Sequence, residues 1–174
     1  MSAQACYQEV KDRLLNVNQW QSYAGKASAA FVLCDEGGNP VERLPRKGDH
    51  FRIDIPGPGP VSGDGYDWVQ IEAMEEMETP EREQITIRVR PATSPKNEKS
   101  DVAHFFSAEA TSNFLVQRDG NTVTAAVLGR NEKPNTEADT IIDKARNTAV
   151  ATGAVTAFSK LQWTSLVKGL ISSE

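Results

Sequence analysis

The fold is decided by residues 114–128, which read Phe-Leu-Val-Gln-Arg-Asp-Gly-Asn-Thr-Val-Thr-Ala-Ala-Val-Leu. Asp119-Gly120 lies between two runs of residues that favour β-strands. Glycine readily adopts the positive φ that the tight turns of β-hairpins require, and Asp-Gly is a frequent sequence in such turns. We therefore predict that residues 113–118 and 122–128 pair as antiparallel strands around this turn.

Four segments upstream of the hairpin also have the composition of strands. Residues 29–34 form a short apolar run before a loop rich in Asp, Gly, Asn and Pro. Apolar and polar residues alternate in 51–55, 69–73 and 85–89, the period of a half-buried strand. In the second of these, Val69, Ile71 and Ala73 are assigned to one face. The six glutamates between residues 72 and 83 are interpreted as part of a connecting loop.

Helical patterns flank the strands. Apolar residues recur every three or four positions near the N-terminus, which predicts a helix from Gln4 to Trp20. Residues 136–171 are also predicted to be helical, with a break or bend at Thr152-Gly153, because glycine weakens a helix interior. Four side chains of this second segment are expected to be buried: Phe158, Leu161, Leu166 and Leu170.

The order of these elements predicts the α+β class. Consecutive strands without intervening helices favour an antiparallel sheet of about six strands, with the N-terminal helix and a long or bent C-terminal helix packed on it. A chain of 174 residues is expected to form one domain. Its parts are an N-terminal amphipathic helix at 1–20, the sheet at 28–129 and the C-terminal helical segment at 136–171.

Composition and charge argue against several classes of function. A net charge of -5 and a pI of about 5.2 disfavour nucleic-acid binding, which needs a basic surface. No apolar stretch reaches the roughly 18 residues of a membrane span. The N-terminus lacks the basic and apolar regions of a secretory signal, and two isolated cysteines are typical of a reducing compartment. We therefore expect a cytoplasmic protein.

Residue types that carry catalysis are few and scattered. The two histidines, His50 and His104, and the two cysteines, Cys6 and Cys34, do not stand at the spacing of a metal site or a catalytic triad. The acidic stretch lacks the Asp, Asn and Gly positions of a calcium loop. We assign no catalytic residue, no metal and no cofactor.

His50 is nevertheless a candidate for a general base. Asp49 or Asp54 would orient its ring. The favoured interpretation is a surface histidine in a turn. A second candidate feature, the neighbouring arginines Arg82, Arg88 and Arg90, is interpreted as a solvated face in preference to an anion site.

Four residues are candidates for binding. Arg130 and Asn131 belong to a polar segment that either recognises a carboxylate or a partner's backbone, or caps the following helix through Asn135 or Thr136. His104 stands beside two phenylalanines, where it either lines a pocket or packs half-buried. The last candidate, Trp163, is expected in an exposed apolar patch together with Val167 and Ile171.

The element order resembles the helix-grip arrangement of the START and polyketide-cyclase-like proteins, in which a sheet wraps a long C-terminal helix. No sequence motif carries this resemblance, and the leading helix departs from the strand-first order of those proteins. The resemblance implies a carrier of a small apolar ligand with a closed cavity.

The scarcity of catalytic groups and the amphipathic terminal segments favour a different function. We expect a non-enzymatic interaction or assembly component, a subunit or adaptor that binds a protein partner or a second copy of itself. The carrier of an apolar ligand is the first alternative, and an enzyme that uses His50 or His104 is the second.

Overall fold

The computed structural model of the chain describes residues 1–56, 64–97, 106–131, 133, 143, 147 and 159–172. Its centre is a six-stranded antiparallel sheet whose strands follow one another in chain order. The strands are β1 Ala30–Cys34, β2 His50–Asp54, β3 Asp67–Glu78, β4 Arg82–Pro91, β5 Thr111–Asp119 and β6 Thr122–Arg130. With a helix before the sheet and a helix after it, the predicted α+β class is confirmed.

The hairpin of β5 and β6 forms as predicted. Its strands pair antiparallel from Thr111 opposite Arg130 down to Asp119 opposite Thr122. Gly120 has a φ of 57° and Asn121 has a negative φ, the combination of a two-residue turn with glycine at its first central position. The two turn residues are therefore Gly120 and Asn121, and Asp119 is the last residue of β5.

The long hairpin of β3 and β4 differs from the prediction. The glutamate-rich stretch is not a loop, because β3 continues to Glu78 and only three residues separate it from Arg82. Ile71 pairs with Val89 and Ala73 with Arg88, so Glu72 is an extra residue on β3. Such a β-bulge reverses the alternation of side chains beyond it. Ala73 therefore lies on the opposite face from Ile71, contrary to the prediction.

The N-terminal helix is shorter than predicted. α1 spans Ala3–Leu15, and the Ser2 hydroxyl caps it by accepting a hydrogen bond from the Ala5 amide at 3.1 Å. The chain turns at Asn16, forms a 3₁₀ turn at Val17–Gln19 and continues as the short helix α2, Trp20–Ala24. After the sheet, the helix α3 spans Ser159–Ile171. Most of the predicted C-terminal segment before residue 159, including Phe158 and the proposed bend, lies outside the described residues.

Helices α1, α2 and α3 pack on one face of the sheet, which we call the inner face. Trp20 is fully buried there, with its ring centroid 5.1 Å from that of Phe31, 5.4 Å from Phe51 and 4.7 Å from Phe114. Leu166 and Leu170 of α3 are buried, as predicted. The opposite, outer face of the sheet carries no helix among the described residues.

Across the described part of the chain, none of the helices is both long and apolar enough to cross a membrane.

Candidate functional site

The outer face of β3 to β6 is a concave polar surface, which we call the polar sheet face. It encloses a cleft of about 750 Å³. The period of two in β4 produces it, because Ile85, Ile87 and Val89 point inward and the residues between them point outward. The lining residues are Glu72, Gln84, Thr86, Arg88, Arg90, Glu109, Thr111, Asn113, Leu115, Leu128, Arg130 and Asn131.

The bulge at Glu72 brings one carboxylate between two arginines. Its Oε1 lies 2.6 Å from Nε of Arg88, and its Oε2 accepts a hydrogen bond from Nε of Arg90 at 2.8 Å. Arg90 also donates to the carbonyl oxygen of Ala108 at 3.0 Å. The hydrogen bond from Arg90 is the main reason that the pKa of the Glu72 carboxyl lies below its usual value. Two guanidinium groups therefore share a single negative charge.

Arg130 and Asn131 lie at the rim of the same cleft. Arg130 is the last residue of β6 and stands opposite Thr111 in the register. Its side chain is exposed and has no ion-pair partner within the described ranges. Asn131 has a φ of 54°, a left-handed conformation that Asn tolerates better than most residues. Both residues predicted to bind here are therefore exposed on one surface.

The charge of the cleft is opposite in sign to that of the whole chain. Three arginines line it against two glutamates, Glu72 and Glu109, which leaves one positive charge. The chain as a whole has a net charge of -5. Leu128 adds an apolar side chain that is 52% exposed, beside the uncharged donors and acceptors of Thr86 and Asn113.

The outer face of β1 to β3 is closed by contrast. Cys34 and Trp68 are buried together there, with Val32 and Tyr66 packed against them. The segment after β4 approaches this region, since the amide of Ala92 donates to the carbonyl oxygen of Trp68 at 2.9 Å. The β3 to β6 side of the outer face, in the part of the chain that is described, offers an open cleft.

His50 is buried and is not the surface histidine that we expected. Its Nδ1 lies 3.3 Å from the carbonyl oxygen of Asp35, and its ring meets that of Trp68 edge-on at 6.1 Å. Burial lowers the pKa of the imidazole. The Asp49 carboxylate is held by Arg43 at 2.7 and 3.0 Å, so it is engaged elsewhere than on His50. His104 lies outside the described residues.

Trp163 lies on the other side of the sheet from Arg130. Its ring packs on Phe114 at 5.4 Å and on Phe31 at 6.1 Å, and it is half-buried. Val167 is also half-buried against the core, while Ile171 is 39% exposed. Trp163 and the pair of Arg130 and Asn131 therefore do not form one site.

Thiol and metal chemistry find little support in the described residues. Burial raises the pKa of the Cys34 thiol, which disfavours the reactive thiolate. No group of three His, Cys, Asp or Glu side chains within the described ranges is arranged to hold a metal ion.

The sequence pointed to Arg130 and Asn131 but missed the residues around them. Glu72 was placed at the end of a strand, where a connecting loop was predicted to begin, so its contact with arginines 16 and 18 positions later was not foreseen. The alternation of β4 was the available signal, and it placed Arg88 and Arg90 on one face.

No protein-family model, no curated protein and no solved structure matches this chain.

Proposed function

We propose that the protein is a non-enzymatic interaction component, a subunit or adaptor that binds an extended, carboxylate-bearing segment of a protein partner on its polar sheet face. The observation that carries this proposal is that the arginines on this face outnumber the carboxylates that pair with them. Arg88 and Arg90 share the Glu72 carboxylate, and Arg130 has no ion-pair partner among the described residues.

An extended segment suits this surface for geometric reasons. The outward side chains of neighbouring strands stand in rows, such as Arg88 opposite Asn113 and Asn113 opposite Leu128. A peptide lying across such a row meets a cation, an amide and an apolar side chain in turn. Complementary charge guides such encounters and selects among partners, since like charges across an interface cost energy.

The filling of the inner face favours this function over the carrier of an apolar ligand. A helix-grip carrier keeps a cavity between its sheet and its C-terminal helix. Here that space holds the aromatic side chains of Trp20, Phe31, Phe114 and Trp163, whose ring centroids lie 4.7 to 6.1 Å apart in successive contacts. The geometry of His50, with Asp49 engaged by Arg43, supports a role without catalysis. The two free cysteines support a reducing compartment, and we propose the cytoplasm.

Defined peptides test the proposal. A fluorescein-labelled peptide of alternating Glu and Thr should bind the protein, and its Gln counterpart should bind much more weakly. Arg130→Gln should lower the affinity for the Glu peptide about tenfold, the effect of one charge-assisted hydrogen bond. The matched control is Arg82→Gln, on the same strand as Arg88 but outside the cleft, where Arg82 pairs with Asp119 at 2.9 Å.

Two results would count against the proposal. Equal affinity for the Glu and Gln peptides would show that the carboxylates of the peptide do not contribute to binding. Equal losses in Arg130→Gln and Arg82→Gln would show that net charge matters and the cleft does not. If the chain instead forms dimers that Arg130→Gln dissociates, the occupant is a second copy and the partner proposed here is wrong.

A further inference from the structure

A second cleft lies on the other side of the molecule, between α1 and the β3–β4 hairpin. Its volume is about 420 Å³. α1 contributes its first turns and Lys11, and the hairpin contributes the glutamates near its tip. We call it the tyrosine cleft. Its lining residues are Ser2, Gln4, Ala5, Tyr7, Gln8, Lys11, Glu76, Met77, Glu78 and Glu83.

Tyr7 lines this cleft with a buried hydroxyl that has no partner in the described part of the chain. The side chain is only 2% exposed, and the hydroxyl forms no hydrogen bond with any of the residues that the structure describes. Burying a hydroxyl without a hydrogen bond is unfavourable, and native proteins rarely leave one so. Phenylalanine would fill the same space without this cost, so the hydroxyl points to a ligand that contacts it.

The carboxylates around Tyr7 exceed the cations that balance them. Glu76 pairs with Lys11, and Glu83 forms a buried ion pair with Arg118. Glu78 stands directly opposite Glu83 in the β3–β4 register and has no ion-pair partner within the described residues. Like charges directly across two strands destabilise the pair. One negative charge therefore remains in the cleft, which also contains the Tyr7 hydroxyl without a hydrogen-bond partner among the described residues.

We propose that the tyrosine cleft binds a primary alkylammonium group. Its nitrogen donates hydrogen bonds to the Tyr7 hydroxyl oxygen and to the carboxylates of Glu78 and Glu76. An ammonium carries three donors on one atom, which suits a cleft lined by three separate acceptors better than the planar fork of a guanidinium does. Lys11 already presents such a group to Glu76 from inside the chain.

This inference does not depend on the function proposed for the polar sheet face, which is a separate surface. The ammonium group has two sources, a free amine or the lysine side chain of a peptide. Calorimetric titration at constant ionic strength, with n-butylammonium, spermidine and the peptide acetyl-Gly-Lys-Gly-amide, distinguishes them. The source that binds tighter by about tenfold or more is the one that the cleft selects. Tetramethylammonium, which has the charge but no N–H donor, is the control cation.

Three variants make the test specific. Tyr7→Phe removes only the hydroxyl and Glu78→Gln only an exposed charge, so both are expected to fold. Each should weaken ammonium binding about tenfold, the effect of losing one charge-assisted hydrogen bond. The matched control Glu75→Gln lies on the same strand opposite Thr86, outside the cleft, and should bind as the wild type does.

Binding of the ammonium probes but not of tetramethylammonium, with losses in Tyr7→Phe and Glu78→Gln alone, is the expected result. The proposal is overturned if no ammonium probe binds, if tetramethylammonium binds equally well, or if Glu75→Gln weakens binding as much as Glu78→Gln.

Discussion

The indole Nε1 of Trp20 donates a hydrogen bond to the carbonyl oxygen of Leu14 at 3.0 Å. Leu14 belongs to the last turn of α1, where carbonyl oxygens lose their partners within the helix. The bond therefore satisfies a free carbonyl group at the helix end and holds the Trp20 ring against Phe114 of the sheet. One side chain thus fixes both the interruption after α1 and the packing of the helices on the inner face.

Replacing Trp20 should destabilise the protein strongly. Trp20→Phe removes the hydrogen bond and leaves a cavity in the core, so the free energy of unfolding should fall by about 2–4 kcal/mol. Denaturant unfolding monitored by circular dichroism measures this change. Trp163→Phe is the matched control and should cost less, because Trp163 is half-buried. Equal losses in the free energy of unfolding for the two variants would show that the hydrogen bond and full burial of Trp20 add no stability beyond that of a half-buried tryptophan.

Gly120→Val tests the turn that decides the fold. Gly120 has a φ of 57°, and a Cβ built there meets no heavy atom within 4 Å. The cost must therefore arise from the backbone conformation and not from crowding. We expect a loss of about 1–2 kcal/mol in the free energy of unfolding. Asn121→Ala, at the neighbouring position with negative φ, should change stability by less than about 0.5 kcal/mol. A neutral Gly120→Val would contradict the assigned turn.

Gly169→Ala tests the close approach of α3 to α2. In an open helix this change is stabilising by roughly 0.5–1 kcal/mol, because glycine is the more flexible residue. Here the new Cβ would overlap the carbonyl oxygen of Tyr23, a backbone atom that cannot move aside alone. We therefore expect the opposite sign, a lower melting temperature. Lys168→Ala, at the exposed neighbouring position, should leave the melting temperature nearly unchanged. A stabilised Gly169→Ala variant would show that α3 does not pack this closely.

Tyr7 should give the protein a distinct alkaline transition. Burial, followed by the charges of Glu76, Glu83 and Glu78, raises the pKa of Tyr7 from 10.0 to about 12, and Arg118 opposes this shift in part. A group whose pKa is raised on folding stabilises the protein below its unfolded pKa, and that contribution is lost as pH rises through the folded pKa. Stability should therefore fall between pH 10 and about 12.

Ultraviolet absorbance of tyrosinate measures this transition. The wild type should show an ionisation near pH 12 that is missing in Tyr7→Phe. The loss of stability over the same range should be smaller in the variant. Identical titration curves for the two proteins would contradict the assigned environment of Tyr7.

The fold was largely predictable from the sequence because its signals are local. The turn at Gly120 and the alternation of Ile85, Ile87 and Val89 each lie within a few residues, and each specifies its own element. The interruption at Asn16 was missed because Val17 continues the helical spacing of α1. The hydrogen bond from Trp20 to the Leu14 carbonyl oxygen accompanies this interruption, and it depends on the three-dimensional arrangement of the two residues. Helical spacing alone does not reveal it.

The candidate site was predictable only in part, for a related reason. Glu72 is an extra residue on β3, and a bulge is defined by the register between two strands rather than by either sequence. Its shared contact with Arg88 and Arg90 follows from that register. Arg130 and Asn131 stood out because polar residues cluster where β6 ends, a feature that is visible along the chain.

Mapping the bound peptide by nuclear magnetic resonance tests the central claim most directly. Backbone amide shifts of the isotope-labelled protein are recorded while the unlabelled Glu-Thr peptide is added. We expect the largest changes at Arg88, Asn113, Leu128 and Arg130 on the polar sheet face, with the amides of α1 and α3 little affected. Two results would contradict the assignment of the polar sheet face as the binding surface. One is shift changes confined to the helices. The other is the absence of shift changes at peptide concentrations that saturate binding, as measured by the fluorescence anisotropy of the fluorescein-labelled peptide.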